Sequence, residues 1–314
     1  MMKKILALLL SLAMCLGMLA GCGSSNTTPA AEASAATDGS AAAADTAEVD
    51  WKSELTTVAD GKLTVATSPD FAPYEFYALD ENNTPTLAGF DVALAGYIAD
   101  YLGLELEMVT VDFDGVLSEL QTKSVDLGMA GLSPDPKREA IMDFSDIYYK
   151  GGQSLVTVEA NADSITSFDD INSSEYTIGA QTGSIQLDLA NQNTPDANIV
   201  SMPKVTDIIS ELLAGKEYAA FIETDVAKSY QKNYPDLEIV LDVPYEQEGS
   251  AIGVNKGNAA LLAGVNEAIA AAQKDGSLEN FIAEANEQAS GNKYEGLLNE
   301  DGQVETDAAA SSAE

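Results

Sequence analysis

The chain has 314 residues, 46% of them hydrophobic, with 51 acidic against 15 basic residues, no histidine and two cysteines. A formal charge of −36 repels phosphate backbones and excludes a nucleic-acid binder. The missing histidine removes the usual general base and every Ser/His or Cys/His nucleophile arrangement.

Met1–Ala20 reads as a targeting segment: Lys3 and Lys4 form a positive start, and Ile5–Ala20 is apolar but short for a span. Leu19-Ala20-Gly21-Cys22 resembles a bacterial lipobox, which implies a signal peptide over 1–21, lipidation of Cys22 and a membrane anchor. An ordinary secretory signal with an incidental cysteine is the alternative. Cys15 leaves with the signal, so no disulfide can form within the mature chain. Residues 22–59 begin with that cysteine and continue Ala/Ser/Thr-rich without periodicity, as a flexible tether; its Gly23–Asp50 part spans about 30 Å as a coil. Without Lys3 and Lys4, 13 basic residues face 51 acidic ones, a formal charge near −38 that suits solubility beside anionic envelope polymers.

From Gly61 strands and helices alternate. Lys62–Thr67 is a short strand, and Ser68–Pro73 a loop carrying Phe71. Tyr74–Ala78 is a second strand, followed by an acidic turn at Asp80–Asn83. Pro85 stands where a calcium loop needs glycine, so no metal is expected there. Gly89-Phe90-Asp91 opens a helix to about Leu102, with Phe90, Leu94, Tyr97, Ile98 and Tyr101 on one face. Leu104–Val111 is a strand, and Asp112–Gly115 leads into a helix over Val116–Thr122. Val125–Ala130 is an apolar strand ending in small residues, with Gly131 and Ser133 beyond it. Asp135-Pro136 then marks a helix N-terminus. Arg138, the only arginine, sits in that first turn, where a cation opposes the helix dipole. A solvated surface arginine is one reading. A docked carboxylate, met by backbone N–H groups and the guanidinium fork together, is the other and the one adopted.

Gly151-Gly152 marks a break before the strands Ser154–Val158 and Tyr176–Ala180. Gln181-Thr182-Gly183-Ser184 feeds a helix from Ile185 to about Asn191, a weak anion-cradle pattern. Ile199–Met202, a helix Val205–Ala214 and the strand Ala219–Glu223 follow. Glu223 ends its strand where ligand groups gather in open α/β sheets, though a solvated strand-end carboxylate reads equally well. Leu237–Val243 and Ala251–Val254 are further strands. Asn258–Lys274 and Leu278–Glu287 are amphipathic helices, and residues 291–314 form an acidic tail.

Five segments in order, TSPDFAPYEF (67–76), GFDVALAGYIA (89–99), DFDGVLSELQT (112–122), AGLSPDPKREAIMDFSDIYY (130–149) and GAQTGSIQ (179–186), resemble the family 3 solute-binding proteins of ABC transporters for polar amino acids. The resemblance covers about Lys62 to Glu287. It implies a periplasmic-binding-protein-like α/β fold: lobe one at 60–150 plus 248–290, lobe two at 154–243, joined by a two-strand hinge and closing on one ligand.

By position, the resemblance implies that Arg138 grips a ligand α-carboxylate, with Ser133 and the Gly131 backbone beside it and Ala130 in the same loop. Ser184 and Ile185 would give lobe two's backbone donors, and Glu223 the acid for the ammonium, where aspartate is commoner. Phe71 and Phe113, which patterning alone makes core residues, would sandwich the ligand side chain. Ser68 replaces a frequent aspartate, and Gln181 and Gln186 lie near the pocket, so a polar uncharged amino acid ranks first and a basic one second. The partners implied are a free L-amino acid and an ABC permease, with no cofactor, and a monomer is expected. A dehydratase on the same fold, with Glu223 as proton donor, or a ligand-sensing receptor are the alternatives.

Overall fold

In the computed structural model, which describes residues 50–79, 84–246 and 249–290, the chain opens with a single helical turn, α1 (Trp51–Glu54). The leader, Cys22, the tether, the Asp80–Asn83 turn and the acidic tail lie outside the described residues. The apolar run Lys62–Thr67 forms β1 over the range expected from sequence. A small antiparallel meander follows, made of β2 (Asp70–Phe71), β3 (Glu75–Leu79) and β4 (Pro85–Ala88).

Helix α2 (Phe90–Leu102) starts at Gly89 and stops at Gly103, whose left-handed conformation returns the last N–H to Ala99 and Asp100. It buries Phe90, Leu94, Ala95, Ile98 and Ala99. Tyr97 and Tyr101, expected on the same face, lie at its rim: the Tyr97 hydroxyl donates to Asp275 at 2.7 Å, and Tyr101 is 41% exposed. Next come β5 (Glu105–Thr110), α3 (Phe113–Thr122), β6 (Leu127–Gly128), α4 (Pro136–Glu139) and β7 (Met142–Phe144).

Two elements are shorter than the sequence predicts. The strand read over Val125–Ala130 is only two residues of ladder, Leu127–Gly128, and the chain turns at Gly131 (φ +57°) just beyond it. The helix after Pro136 is one turn, since the Ile141 N–H returns to the Arg138 carbonyl and Met142 joins the sheet.

The second half supplies β8 (Gln153–Val158), α5 (Glu159–Ala162), β9 (Thr177–Gln181), α6 (Ile185–Asn193), β10 (Asn198–Met202), α7 (Val205–Leu213), β11 (Ala219–Glu223), α8 (Thr224–Asn233) and β12 (Leu237–Asp242). Then β13 (Gly253–Asn255), α9 (Ala259–Asp275) and α10 (Ser277–Gln288) complete it. Sequence periodicity misses α8, whose TDVAKSYQKN carries only Val226, Ala227, Ser229 and Tyr230 as a buried side.

Both sheets follow one plan. The first runs β5-β1-β6-β13-β7 and the second β10-β9-β11-β8-β12. In each, a central strand has parallel neighbours on both sides, β5 and β6 on β1, β10 and β11 on β9. An antiparallel strand then follows, β13 in the first and β8 in the second. Because β13 comes after the whole second sheet in sequence, the chain crosses between sheets twice, once in each direction. The crossings lie side by side: Tyr149 and Ser250 form an antiparallel bridge, with the Ser250 N–H 2.7 Å from the Tyr149 carbonyl. This is the two-lobed α/β architecture with a two-strand hinge.

Leu63, Val65, Leu94, Ile98, Val265 and Ile269 are all at or below 1% exposure, and burying each aliphatic side chain contributes about 1.5–3 kcal/mol. The described residues of both lobes fall in one compact unit.

Candidate functional site

In both lobes the parallel strands end at the interlobe cleft, and the loops after them carry polar side chains into it. After β1 come Ser68, Asp70 and Phe71; after β6 come Ala130, Gly131 and Ser133; after β9 come Gln181 and Ser184; at the end of β11 sits Glu223. Apart from the half-buried Gly131, all of these are buried.

Arg138 is 6% exposed, which rules out the solvated surface reading. Asp135 caps α4 through the Lys137 and Arg138 N–H groups, and its other oxygen lies 3.1 Å from Arg138 Nε. Arg138 Nη1 donates to the Ser133 carbonyl at 2.9 Å and Nη2 to the Gly183 carbonyl of the opposite lobe at 3.2 Å. The guanidinium lies 5.5 Å from the centre of the Phe113 ring. Burial works against its charge, and the Asp135 and Asp188 carboxylates counteract that. Three of the five N–H groups of a guanidinium are thus taken by the chain. The Ser133 hydroxyl, beside it, has no hydrogen-bond partner among the described residues.

Gly131 has no room for a side chain: a Cβ there would lie 2.9 Å from the Phe71 ring. Its N–H is held by Asp91 Oδ2 at 3.1 Å, and Asp91 Oδ1 takes the Tyr148 hydroxyl at 2.6 Å. Burial pushes Asp91 up to about 6 despite those donors. As an anion, Glu75 would bury two oxygens without a donor; as an acid it shares its proton with Asp91. The acid form fits the packing, since burial and the Asp91 and Asp70 charges hold Glu75 well above the usual carboxylate range.

In lobe two, Ser184 caps α6 by accepting from the Leu187 N–H at 3.2 Å. Its own N–H turns back to the Gln181 carbonyl at 3.2 Å, a departure from the expected pair of ligand donors; Ile185, first in α6, has no intrahelical acceptor for its N–H. Gln186 is tied to Gln153 at 2.8 Å and serves lobe two's own packing. Gln181 reaches across the cleft to Asp70 at 3.2 Å. Glu223 is 4% exposed, so the solvated strand-end reading fails. It caps α8 through the Val226 N–H at 2.8 Å and accepts from the lobe-one Tyr74 hydroxyl at 3.3 Å. Burial, then the nearby Asp225 charge, pushes it up to about 8.

Asp70, Asp91, Glu75 and Tyr74 are the residues that sequence patterning does not single out. The one available signal is positional: Asp70 follows a parallel strand's carboxyl end, where ligand groups gather. A cavity of about 600 Å³ opens beside Ser68 and Asp70, lined also by Asp112, Asp114, Asp207 and Lys204. No cluster of three or more metal-ligating side chains occurs among the described residues.

A family model described as bacterial extracellular solute-binding proteins, family 3, matches residues 63–285. The arginine-binding extracellular protein ArtP of Bacillus subtilis is 32% identical over 224 residues, 70% of this chain and 84% of that one. The crystal structure of AbpA from Streptococcus pneumoniae, an amino acid ABC transporter substrate-binding protein bound to L-arginine, matches with a TM-score of 0.70 at 32% identity. That match covers 74% of this chain and 97% of AbpA. The ancestral amino-acid-binding protein AncCDT-1, a precursor of cyclohexadienyl dehydratase, matches with a TM-score of 0.64 at 31% identity, over 71% of this chain and 95% of that one. The chain belongs to family 3 of the bacterial extracellular solute-binding proteins.

Proposed function

We propose that the protein is the lipid-anchored receptor of an ABC importer, capturing one cationic L-amino acid, arginine foremost, and delivering it to a permease. One observation carries the ligand's charge: AbpA, similar to this chain over 97% of its own length, binds L-arginine, and the exposed Asp112, Asp114 and Asp207 beside Ser68 add a negative field on that side of the cleft. Sequence alone ranks a polar uncharged ligand first; the arginine bound by AbpA favours the reverse order, and the acidic surroundings of Ser68 suit it. Arg138 would take the α-carboxylate with its two remaining N–H groups, helped by the Ser133 hydroxyl and the Ile185 N–H. Glu223 and the Gly131 carbonyl would receive the ammonium, and Phe71 and Phe113 would flank the side chain. Ala130 and Ser68 line its path.

On this reading lobe one spans 60–150 plus 248–290, lobe two spans 154–243, and the protein works as a monomer. L-Citrulline keeps arginine's shape and loses its charge. Calorimetric titration is expected to show arginine binding at least about tenfold tighter than citrulline, about 1.4 kcal/mol. Equal affinity for the two sinks the cationic assignment.

Anchoring rests on Leu19-Ala20-Gly21-Cys22. Cys22→Ser is expected to move the protein from the membrane fraction to the soluble one with ligand affinity unchanged, because the tether separates anchor from cleft. Membrane retention of the variant in detergent-free fractionation removes the anchor assignment. The site does no chemistry in this proposal. Glu223, neutral near pH 7 in the ligand-free site, is the group a dehydratase would use, so turnover of prephenate or arogenate abolished by Glu223→Gln would favour the enzyme reading.

A further inference from the structure

Asp70 is 6% exposed, yet every polar atom of its carboxylate is occupied by the chain itself. Oδ1 accepts from the Ser68 hydroxyl at 2.8 Å. Oδ2 accepts from two groups of the opposite lobe, the Val205 N–H at 2.5 Å and Gln181 Nε2 at 3.2 Å. Its backbone carbonyl takes the hydroxyl of Tyr230, also from lobe two, at 3.0 Å. Val205 is the first residue of α7, and the N-cap of that helix, Lys204, makes no side-chain capping bond. The cap is therefore supplied in trans, by a carboxylate whose charge complements the helix N-terminus.

We propose that Asp70 is a closure latch, a positioning residue that caps α7 across the cleft and holds the lobes shut. It rests on the ligand-binding reading only for the choice of ligand. Opening the lobes separates Asp70 from both lobe-two side donors and from Tyr230 at once, so the contact exists only in the closed form. Of the other interlobe links, the buried Tyr74–Glu223 bond is long at 3.3 Å and belongs to the ammonium side of the site, and Asn233–Ala289 is a single half-buried amide contact at 3.2 Å. Lys137–Asp188 is 2.7 Å long but more than half exposed on both sides, and such pairs contribute little. The Tyr149 hydroxyl meets Asp225 at the cleft rim, half-buried, at 2.7 Å. Arg138–Gly183 belongs to the ligand clamp. Asp70 reads no ligand atom directly, since its oxygens are filled, and its effect falls on how long the closed form lasts.

A latch absent from the open form changes dissociation and leaves association alone. Two variants remove it from opposite sides. Asp70→Ala deletes the acceptor. Val205→Pro deletes the N–H and keeps a compact apolar side chain at this buried position, which is in the first turn and suits proline, behind a Lys204 whose φ of −117° and ψ of 140° suit the residue preceding one. Stopped-flow kinetics with L-arginine are expected to show each variant dissociating at least about tenfold faster, with association within threefold of the parent. The double variant should be no more than twofold faster than Asp70→Ala, because both remove one interaction. Asp70→Asn, which keeps an acceptor, should fall between parent and Asp70→Ala.

A ligand-free arm uses spin labels on Tyr101→Cys in lobe one and Leu213→Cys in lobe two, 41% and 36% exposed, in the full chain with Cys15→Ser and Cys22→Ser. Both latch variants should shift the interlobe distance distribution to longer separations. Dissociation within twofold of the parent, faster dissociation in Asp70→Ala without any in Val205→Pro, or multiplying effects in the double variant each overturn the latch. If the parent does not bind arginine, the cationic reading fails by itself and the label distances alone decide: unchanged distributions overturn the latch.

Discussion

Arg138→Ala weakens amino-acid binding by at least about a hundredfold. The guanidinium is buried and makes contacts of three kinds: an ion pair with Asp135, hydrogen bonds to the Ser133 and Gly183 carbonyls, and a face-on approach to Phe113. Truncating one partner of a buried charge pair costs roughly 3–5 kcal/mol. At about 1.4 kcal/mol per tenfold, a ligand carboxylate left without its cation accounts for the stated loss. The Gly183 contact also crosses the cleft, so the variant loses closure as well as charge. Arg138→Lys recovers little, because one ammonium cannot serve Asp135, two carbonyls and a bidentate carboxylate together. Asp135 keeps the Lys137 N–H when residue 138 is alanine, so the cap of α4 survives and the ligand-free melting temperature should move little. Lys137→Ala removes only the exposed pair with Asp188 and should bind within about threefold of the parent. Calorimetric titration of the three variants with L-arginine is the measurement. Binding by Arg138→Ala within threefold of the parent would displace the carboxylate site from α4.

The elements legible in the sequence are those whose signals are local. β1 and β11 coincide with their apolar runs because those strands lie inside their sheets, with neighbours on both sides. α2 falls within a residue of its expected bounds because glycines stand at both ends, Gly89 starting it and Gly103 taking the left-handed stop. Arg138 is conspicuous as the one arginine, placed against a helix dipole, and its burial shows that the local cost has a tertiary purpose. α8 is illegible for the opposite reason. Its buried side is two aliphatic residues, a serine and a tyrosine, and its cap is Glu223, a residue the pattern assigns to the strand before it.

The buried carboxylates escape pattern reading because their partners are distant. Asp70 bonds a backbone N–H 135 residues away, and Asp91 one 40 residues away. Hydrophobic periodicity carries no trace of such pairings, and each acid looks like an ordinary loop or first-turn residue. Their placement nonetheless follows from topology. Strands that run parallel in both lobes bring their carboxyl ends, and the polar loops beyond them, to one cleft. The segments Ser68–Phe71, Ala130–Ser133, Gln181–Ser184 and Glu223 converge there for that reason, which no single segment reveals.

Glu217→Met stabilises the protein at neutral and alkaline pH and does so progressively less as the pH falls. Glu217 lies between α7 and β11, 3% exposed, with both carboxylate oxygens buried and without a hydrogen-bond partner among the described residues. It folds over Gly179 of β9, so close that a Cβ at Gly179 would collide with Oε2. Burial, and then the Glu211 charge, pushes its pKa up to about 8 from an ordinary 4.5. A folded-state value above the unfolded one means that the folded protein binds the proton more tightly. The stability tied to that proton is therefore complete below about pH 4.5 and is lost as the pH rises toward 8. Allowing for partial solvent screening, the loss is on the order of 2 kcal/mol by pH 7 to 8. Methionine has a similar length, no charge and a flexible chain that fits the same space against the apolar side of the sheet. Replacing a buried charge without a partner by an apolar group of that shape removes the penalty. For a domain of this size, melting temperature should rise by about 4–8 °C at pH 8, with the gain shrinking to within about a degree at pH 4.5. Differential scanning calorimetry of parent and variant across that range measures both ends, and a gain independent of pH would mean that Glu217 does not change its protonation between pH 4.5 and 8 in the folded protein.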